Sequence, residues 1–331
     1  MLKRRLECKE YFDGILAANN VILSKAITLV ESTLDEDQLL AQKLIELILP
    51  HTSKSIRIGI TGVPGVGKST FIEAFGNFII QEKNKKIAVL AVDPSSQLTK
   101  GSIMGDKTRM DLLSNNPKAF IRPSPSGKTL GGVNKTSRET ILLCEAAGYE
   151  VILIETVGVG QAEIAVKSMT DFFLLLMLAG AGDELQGIKK GIIEMADLIA
   201  ITKADGDNIK KARTAKVVYE NALHFLSQSD NGWSPHVLTC SALQSEGIKQ
   251  IWEEIEKFIG ITNQNGAFNK NRNFQNLQWM HDSVKQNVED NFYKNSNIKN
   301  VLSGIEDEVM NGNITSTQAA MKLLKIYKNE V

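Results

Sequence analysis

Seven short apolar runs recur between residues 56 and 239, with longer amphipathic stretches between them. They are Ile56–Ile60, Ile87–Val92, Ala119–Ile121, Val151–Ile154, Phe172–Leu178, Leu198–Thr202 and His236–Thr239. Several are apolar at almost every position. A strand with one face in water alternates, whereas a strand covered on both faces does not. Strands alternating with helix-length segments predict an α/β fold: a mostly parallel sheet with helices packed on both sides. The 331 residues, 43% of them hydrophobic, supply a core for it.

The ends of the chain lack this alternation. Residues 1–50 read as an N-terminal helical extension, with Leu40, Leu44, Ile45, Ile48 and Leu49 at helical spacing. Thr33 and Glu36 have the spacing of a capping box, and Pro50 predicts the stop. Residues 51–260 form the α/β domain. Residues 261–331 read as a C-terminal helical extension. It begins with an asparagine-rich linker or solvated turn over Asn263–Asn276, and apolar stripes follow at Leu277, Met280, Val284, Val288 and Phe292 and at Val301, Ile305 and Val309. Thr315 with Gln318 predicts a capped last helix.

Composition narrows the function classes. Lys plus Arg and Asp plus Glu are both 38, so no basic surface points to nucleic acid. The greasiest stretch, Phe172–Ala181, is too short to span a bilayer, which needs ~20 apolar residues. No secretory leader is visible, and the reading is a cytoplasmic protein with reduced thiols. Cys8, Cys144 and Cys240 and the four histidines are scattered, without the spacing of a zinc or nickel cluster. Of 25 glycines, 18 lie between Gly59 and Gly206, which concentrates close backbone approach in the α/β region.

The sharpest motif is Gly62-Val63-Pro64-Gly65-Val66-Gly67-Lys68-Ser69, a full G-x-x-x-x-G-K-[ST] between an apolar strand and an amphipathic helix. Its glycines let backbone amides face phosphate oxygens, and the helix N-terminus adds partial positive charge. Lys68 is expected to reach the β- and γ-phosphates and Ser69 to ligate Mg²⁺, while Thr70 either touches a phosphate or simply belongs to the first turn of the helix. Carboxylates for that metal should end strands on the same edge. Asp93 and Glu155 do so by position, and Asp106 is a third candidate, from a loop. Glu155-Thr-Val-Gly158 has the shape of a D-x-x-G segment, in which the glycine amide senses the γ-phosphate.

Thr202-Lys203-Ala204-Asp205 closes another buried strand and resembles the guanine-reading N-K-x-D motif. An aspartate there accepts from guanine N1–H and the 2-amino group, donors that adenine lacks. Ser241-Ala242-Leu243, after the last strand, resembles the segment whose backbone contacts the guanine oxygen. Together these favour GTP over ATP.

Longer blocks narrow the resemblance. Asp93-Pro-Ser-Ser96, Gly101–Met110, Arg122-Pro-Ser-Pro-Ser126, Leu130-Gly-Gly132, Glu155–Gln161 and Gly180–Gly191 resemble the MeaB/ArgK family of GTPases, which are associated with methylmalonyl-CoA mutase. The resemblance implies a P-loop GTPase of the SIMIBI class, homodimeric through its C-terminal extension. It implies GTP/GDP and Mg²⁺ as ligands, with Ser69, Asp93, Asp106 and Glu155 around the metal. It implies a partner, an adenosylcobalamin-dependent acyl-CoA mutase whose cofactor loading the GTPase gates and which it protects. Lys68, Asp106 and Lys189 are the catalytic candidates, Lys189 reaching the nucleotide when the partner docks. Lys100, Ala179 and Thr202 depart from the family pattern. Val159 stands where a water-orienting glutamine would follow D-x-x-G, so intrinsic hydrolysis is expected to be slow. The competing reading is an ATP-dependent kinase or transport ATPase.

Overall fold

The computed structural model describes residues 5–92, 110–123, 130–156, 162–180, 190–224 and 231–328. Among them are seven strands: β1 Ile56–Gly62, β2 Ile87–Val92, β3 Ala119–Arg122, β4 Val151–Thr156, β5 Phe172–Leu178, β6 Leu198–Thr202 and β7 His236–Thr239. They form one sheet in the order β3-β2-β4-β1-β5-β6-β7, and every pairing is parallel. All seven apolar runs are strands, and the parallel α/β expectation holds. β5 illustrates why these runs do not alternate. Leu174 and Leu176 enter the core on one face, Leu175 and Met177 the core on the other.

The helices between the strands supply those cores. α4 (Lys68–Glu82) buries Phe71, Ile72, Phe75 and Ile79. The remaining connections are a single turn α5 (Asp111–Ser114), α6 (Leu130–Ala146), α7 (Ala162–Lys167), α8 (Lys190–Met195) and α9 (Ile209–His224). α10 (Ile248–Gln264) buries Ile251, Trp252, Ile255 and Phe258, one apolar stripe at helical spacing. Full burial of one such side chain contributes about 1.5–3 kcal/mol.

The N-terminal segment is three helices, α1 (Cys8–Leu16), α2 (Asn20–Glu31) and α3 (Asp35–Ile48), closed by a 3₁₀ turn at Leu49–His51. The stop at Pro50 is as expected. The Thr33 box is not formed: Leu34 is the N-cap residue, and Ser32 Oγ accepts from its amide at 3.3 Å while donating to Asp37 at 2.7 Å. Glu36 is drawn away by Arg5.

The asparagine-rich linker is also not a linker. α10 runs to Gln264, Gly266 turns with φ +76°, and α11 (Ala267–Lys294) begins at once. Asparagine costs a helix only a few tenths of a kcal/mol per residue. Buried polar contacts on the same segment outweigh that. Arg272 donates Nε to Asp171 Oδ1 at 2.7 Å and Nη2 to Asp171 Oδ2 at 2.6 Å and to the Ser55 carbonyl at 2.7 Å.

The described residues divide into two compact units, residues 1–275 and residues 276–331. In the second, α12 (Ser296–Met310) and α13 (Ser316–Tyr327) pair around Ile298, Ile305 and Ala319. The expected Thr315–Gln318 capping box is present. Leu277, Met280, Val284 and Val288 on α11 are exposed. No described helix is long and apolar enough to cross a membrane.

A buried ion pair anchors the start of β1. Arg57 donates Nε and Nη2 to Glu145 of α6 at 2.9 and 3.1 Å, and Ser55 Oγ and the Ser53 amide also donate to that carboxylate. Burial pushes the Glu145 carboxyl up, but Arg57, Ser55 and Ser53 more than offset this and hold it below its ordinary range. A depressed folded pKa stabilises above the unfolded value, and the contribution is lost as pH falls through the folded one. Glu145→Gln should therefore cost about 3–5 kcal/mol at neutral pH, because Arg57 is left buried without a counter-charge and with one acceptor fewer. The deficit relative to wild type should shrink between about pH 5 and 3. Urea unfolding across pH measures both.

Candidate functional site

β1 lies between β4 and β5, with β2 and β3 beyond β4 and with β6 and β7 on the other side. Strand order reverses about β1, and in open α/β sheets that is where the carboxyl ends leave a crevice. The Gly62–Ser69 loop fills it. Gly62 has φ +157°, and a Cβ there would lie 2.5 Å from the Leu176 carbonyl of β5, so no side chain fits. Gly65 has φ +79° and Gly67 φ +90°, conformations that side chains resist.

Val66 is buried beneath the loop, Val63 is half-buried, and Pro64, Gly65 and Thr70 are exposed above it. Gly67 caps α4, and its carbonyl accepts from Phe71 N at 2.8 Å. The amides of Lys68, Ser69 and Thr70 fall in the first turn, where no intrahelical acceptor exists. Lys68 Nζ reaches back across the loop to the Gly62 carbonyl at 2.9 Å. The result is an exposed rim of backbone donors with one ammonium laid across it, suited to a polyphosphate.

Glu155 is the penultimate residue of β4, in register with Ile60 of β1 on one side and Ala91 of β2 on the other. It is 7% exposed. The next residue, Thr156, bonds Thr61 of β1 hydroxyl to hydroxyl at 2.8 Å, which locks these two strand ends together. Ser69 and Glu155 are hard oxygen donors of the kind Mg²⁺ prefers. Among the described residues no group of three or more His, Cys, Asp or Glu side chains could hold a metal ion.

The end of β6 is bonded directly to the phosphate loop. Thr202 Oγ1 donates to the Val66 carbonyl at 2.8 Å, and Lys203 Nζ donates to the Gly65 carbonyl at 2.8 Å. Lys203 adopts φ +54°, unusual for a residue with a side chain. Asp205 follows, and the buried Ser241 hydroxyl donates to its Oδ2. Ser241 Oγ accepts from the Gln244 amide at 3.2 Å, which orients the hydroxyl. A carboxylate offers about four acceptor sites, so Asp205 retains capacity for a ligand's N–H donors. Ala242 is half-buried and Leu243 is 80% exposed. Cys240 is buried next to this loop, and burial pushes its thiol up to about 12, the behaviour of a packing residue.

The model of a family described as "Methylmalonyl Co-A mutase-associated GTPase MeaB" matches residues 23–297. The chain belongs to the MeaB family. It is 49% identical to "GTPase ArgK" of Escherichia coli over 273 residues, 82% of each chain. It is 43% identical to "Methylmalonic aciduria type A homolog, mitochondrial" of Mus musculus over 328 residues, 96% of this chain and 79% of that one. Among solved structures it resembles "Crystal structure of LAO/AO transport system kinase" with TM-score 0.76 and 36% identity, over 99% of this chain and 100% of that one. The chain is thus a GTPase with the P-loop GTPase fold.

In this MeaB-family chain the fold brings Gly62–Thr70, Glu155, Lys203, Asp205 and Ser241–Leu243 to the carboxyl edge of the sheet. Asp93, Asp106, Gly158 and Lys189 lie outside the described residues. Two contributors escaped the sequence reading. Thr202 looked like a departure from the motif, yet its hydroxyl ties β6 to the loop. Gly247 carries no motif, but a Cβ there would lie 2.3 Å from the Thr239 carbonyl, and its φ of +76° lets the chain turn from Ser241 into α10. A glycine directly before an apolar-periodic helix was the available signal.

Gly62→Ala should abolish guanine-nucleotide binding, read by fluorescent-GDP titration, while far-UV circular dichroism keeps the α/β signature. Gly65→Ala meets no atom within 4 Å. Its cost is backbone strain alone, on the order of 1 kcal/mol, so it should weaken binding several-fold only.

Proposed function

We propose that this MeaB-family GTPase binds GTP with Mg²⁺ at the Gly62–Thr70 loop and acts as a chaperone. In this reading it gates adenosylcobalamin loading into an acyl-CoA mutase, methylmalonyl-CoA mutase first among candidates, and protects that mutase from inactivation. The observation that carries the guanine reading is Asp205 held by the buried Ser241 hydroxyl, one residue beyond Ala204 and Lys203, with Lys203 clasped on the phosphate loop. A half-buried carboxylate that accepts from N1–H and the 2-amino group favours guanine, because adenine supplies neither donor. The mutase partner is supported by the family's description.

Hydrolysis is attack of water on the γ-phosphorus with cleavage of the β,γ bond, releasing GDP and phosphate. Lys68 neutralises charge on the β- and γ-oxygens, and the loop amides hold the phosphates in line. Ser69 and Glu155, with Asp93 and Asp106, are the residues that would hold Mg²⁺. When bound, the ion would supply further neutralisation of the phosphate charge. The Gly158 amide is the γ-phosphate sensor in this scheme, and Ala242 and Leu243 border the base. With Val159 in place of a glutamine, the isolated protein turns over slowly, and a docked partner accelerates it by bringing Lys189 to the nucleotide.

Residues 1–50, 51–260 and 261–331 are the helical extension, the GTPase domain and a dimerisation extension of a cytoplasmic homodimer. The exposed stripe of Leu277, Met280, Val284 and Val288 supports that last assignment.

The test is the GTP hydrolysis rate with and without the cobalamin-dependent acyl-CoA mutase of the same genome, with ATP in parallel. Acceleration with GTP alone is expected. Equal use of ATP would favour the kinase-type reading. A rate on the order of 1 s⁻¹ in the isolated protein would overturn the slow-turnover expectation.

Asp205→Asn should move preference from guanine to xanthine nucleotides, since an amide donates to the xanthine 2-oxygen where the carboxylate accepted from the 2-amino group. Ser241→Ala should weaken GDP binding by about 1–2 kcal/mol through loss of one charge-assisted bond, without this change of base. Competition titration with GDP and XDP separates the two.

A further inference from the structure

Glu73 belongs to no motif, yet it joins the phosphate-loop helix to the chain that follows Asp106. It lies on α4 four residues after Ser69, and Gly76 lies three residues further on. Positions spaced by three and four share one helix face, so Ser69, Glu73 and Gly76 form a stripe.

The described chain resumes on this stripe at Met110. Met110 and Leu113 are buried in the core that includes Phe71, Ile72 and Phe75 of α4. Between them α5 is a single turn, whose first amides have no acceptor within the turn. Met110 caps it with no side-chain bond. The acceptor comes from α4 instead. Glu73 Oε1 accepts from Leu112 N at 2.8 Å and from Leu113 N at 3.2 Å, and Oε2 lies 3.4 Å from Leu113 N.

Gly76 completes the joint. A Cβ at this position would lie 2.9 Å from Leu113 Cδ2 and 2.7 Å from Ile87 Cδ1. The missing side chain is what lets Leu113 seat against α4. A carboxylate and a glycine, three residues apart, thus hold residues 110–113 to the helix whose first turn carries Lys68 and Ser69.

We propose that Glu73 is a positioning residue for GTP hydrolysis. It fixes Met110–Leu113, which follow Asp106 in the chain, against the helix that carries Ser69. This rests on the GTP and Mg²⁺ reading of the site above. Glu73 touches neither nucleotide nor metal in the proposal; it acts through residues 110–113. A purely structural cap would alter stability and nothing else, so the decisive readouts concern the metal.

The experiment compares wild type, Glu73→Ala, Glu73→Gln and Gly76→Ala in full-length protein. Ile27→Ala, in the core of the N-terminal helices, serves as a control for lost stability. Fluorescent-GDP affinity is measured in EDTA and in Mg²⁺, and GTP turnover is measured over a Mg²⁺ series. Glu73→Ala is expected to keep GDP affinity in EDTA within twofold of wild type and to lose most of the gain in affinity that Mg²⁺ confers. It should raise the half-saturating Mg²⁺ concentration about tenfold and lower kcat about tenfold. Glu73→Gln, which keeps an acceptor oxygen, should recover part of each. Gly76→Ala, which displaces Leu113 without touching a charge, should reproduce the Mg²⁺ shift. Ile27→Ala should lower Tm and leave the Mg²⁺ dependence unchanged.

Mg²⁺ dependence and kcat of Glu73→Ala within twofold of wild type would overturn the proposal, as would changes no larger than those of Ile27→Ala. A wild type that binds ADP as well as GDP and turns over no GTP would instead overturn the reading of the site, and this proposal with it.

Discussion

Placing β1 between β4 and β5 leaves the chain that exits β1 with one route, upward between two strand ends and immediately into a helix. That route is narrow. The Leu176 carbonyl stands where a side chain at residue 62 would project, so only glycine can begin the turn. Once Gly62, Gly65 and Gly67 have bent the backbone, the first turn of α4 opens on the crevice, and its amides and the Lys68 ammonium follow without further choice. Glu155 lies at the adjoining strand end because β4 is the neighbour of β1 on one side, and Thr202 and Lys203 bond to the loop from the end of β6, which follows β5 on the other.

The two halves of the site are bonded to each other as well as adjacent. Thr202 and Lys203 each donate to a carbonyl of the phosphate loop, and Asp205 is held in turn by Ser241. A loop whose glycines carry little conformational preference is thereby braced by the strand end that precedes Asp205. The phosphate loop and the end of β6 are thus coupled through two hydrogen bonds. On the opposite edge of the sheet, Arg57–Glu145 and Arg272–Asp171 tie β1, α6, the start of β5 and the start of α11 together. Buried pairs of this kind contribute modestly when intact and cost much when broken. They hold the frame while the ligand edge keeps its donors for ligand.

Much of the frame was legible because its signals are local. Runs apolar at nearly every position can only be strands or helices buried all round, and their lengths and glycine flanks made them strands. The phosphate loop was legible because its residue types are dictated by backbone geometry over eight consecutive positions. Two readings missed, and one joint went unread, for one shared reason. The Asn263–Asn276 stretch looked solvated until Arg272 and Gln275 were found buried within it. Thr33–Glu36 had the right spacing, but Arg5, far along the chain, draws Glu36 away. Glu73 and Gly76 carry no motif, since their partners are some 40 residues away or on β2.

The sequence by itself determined the seven strands, the parallel class of the sheet, the identity of the phosphate loop and the family. Each of these rests on short-range periodicity or on contiguous residues. The tertiary structure alone decided which strand ends stand beside the loop, that Thr202 is a brace and not merely a substitution, and that Ser241 orients Asp205. It also decided that α11 is anchored by an arginine instead of preceded by a linker. Those outcomes depend on strand order and on buried hydrogen bonds between residues far apart in the chain. The free energy of such bonds comes from desolvated partners meeting in space, and no local pattern of residue types encodes it.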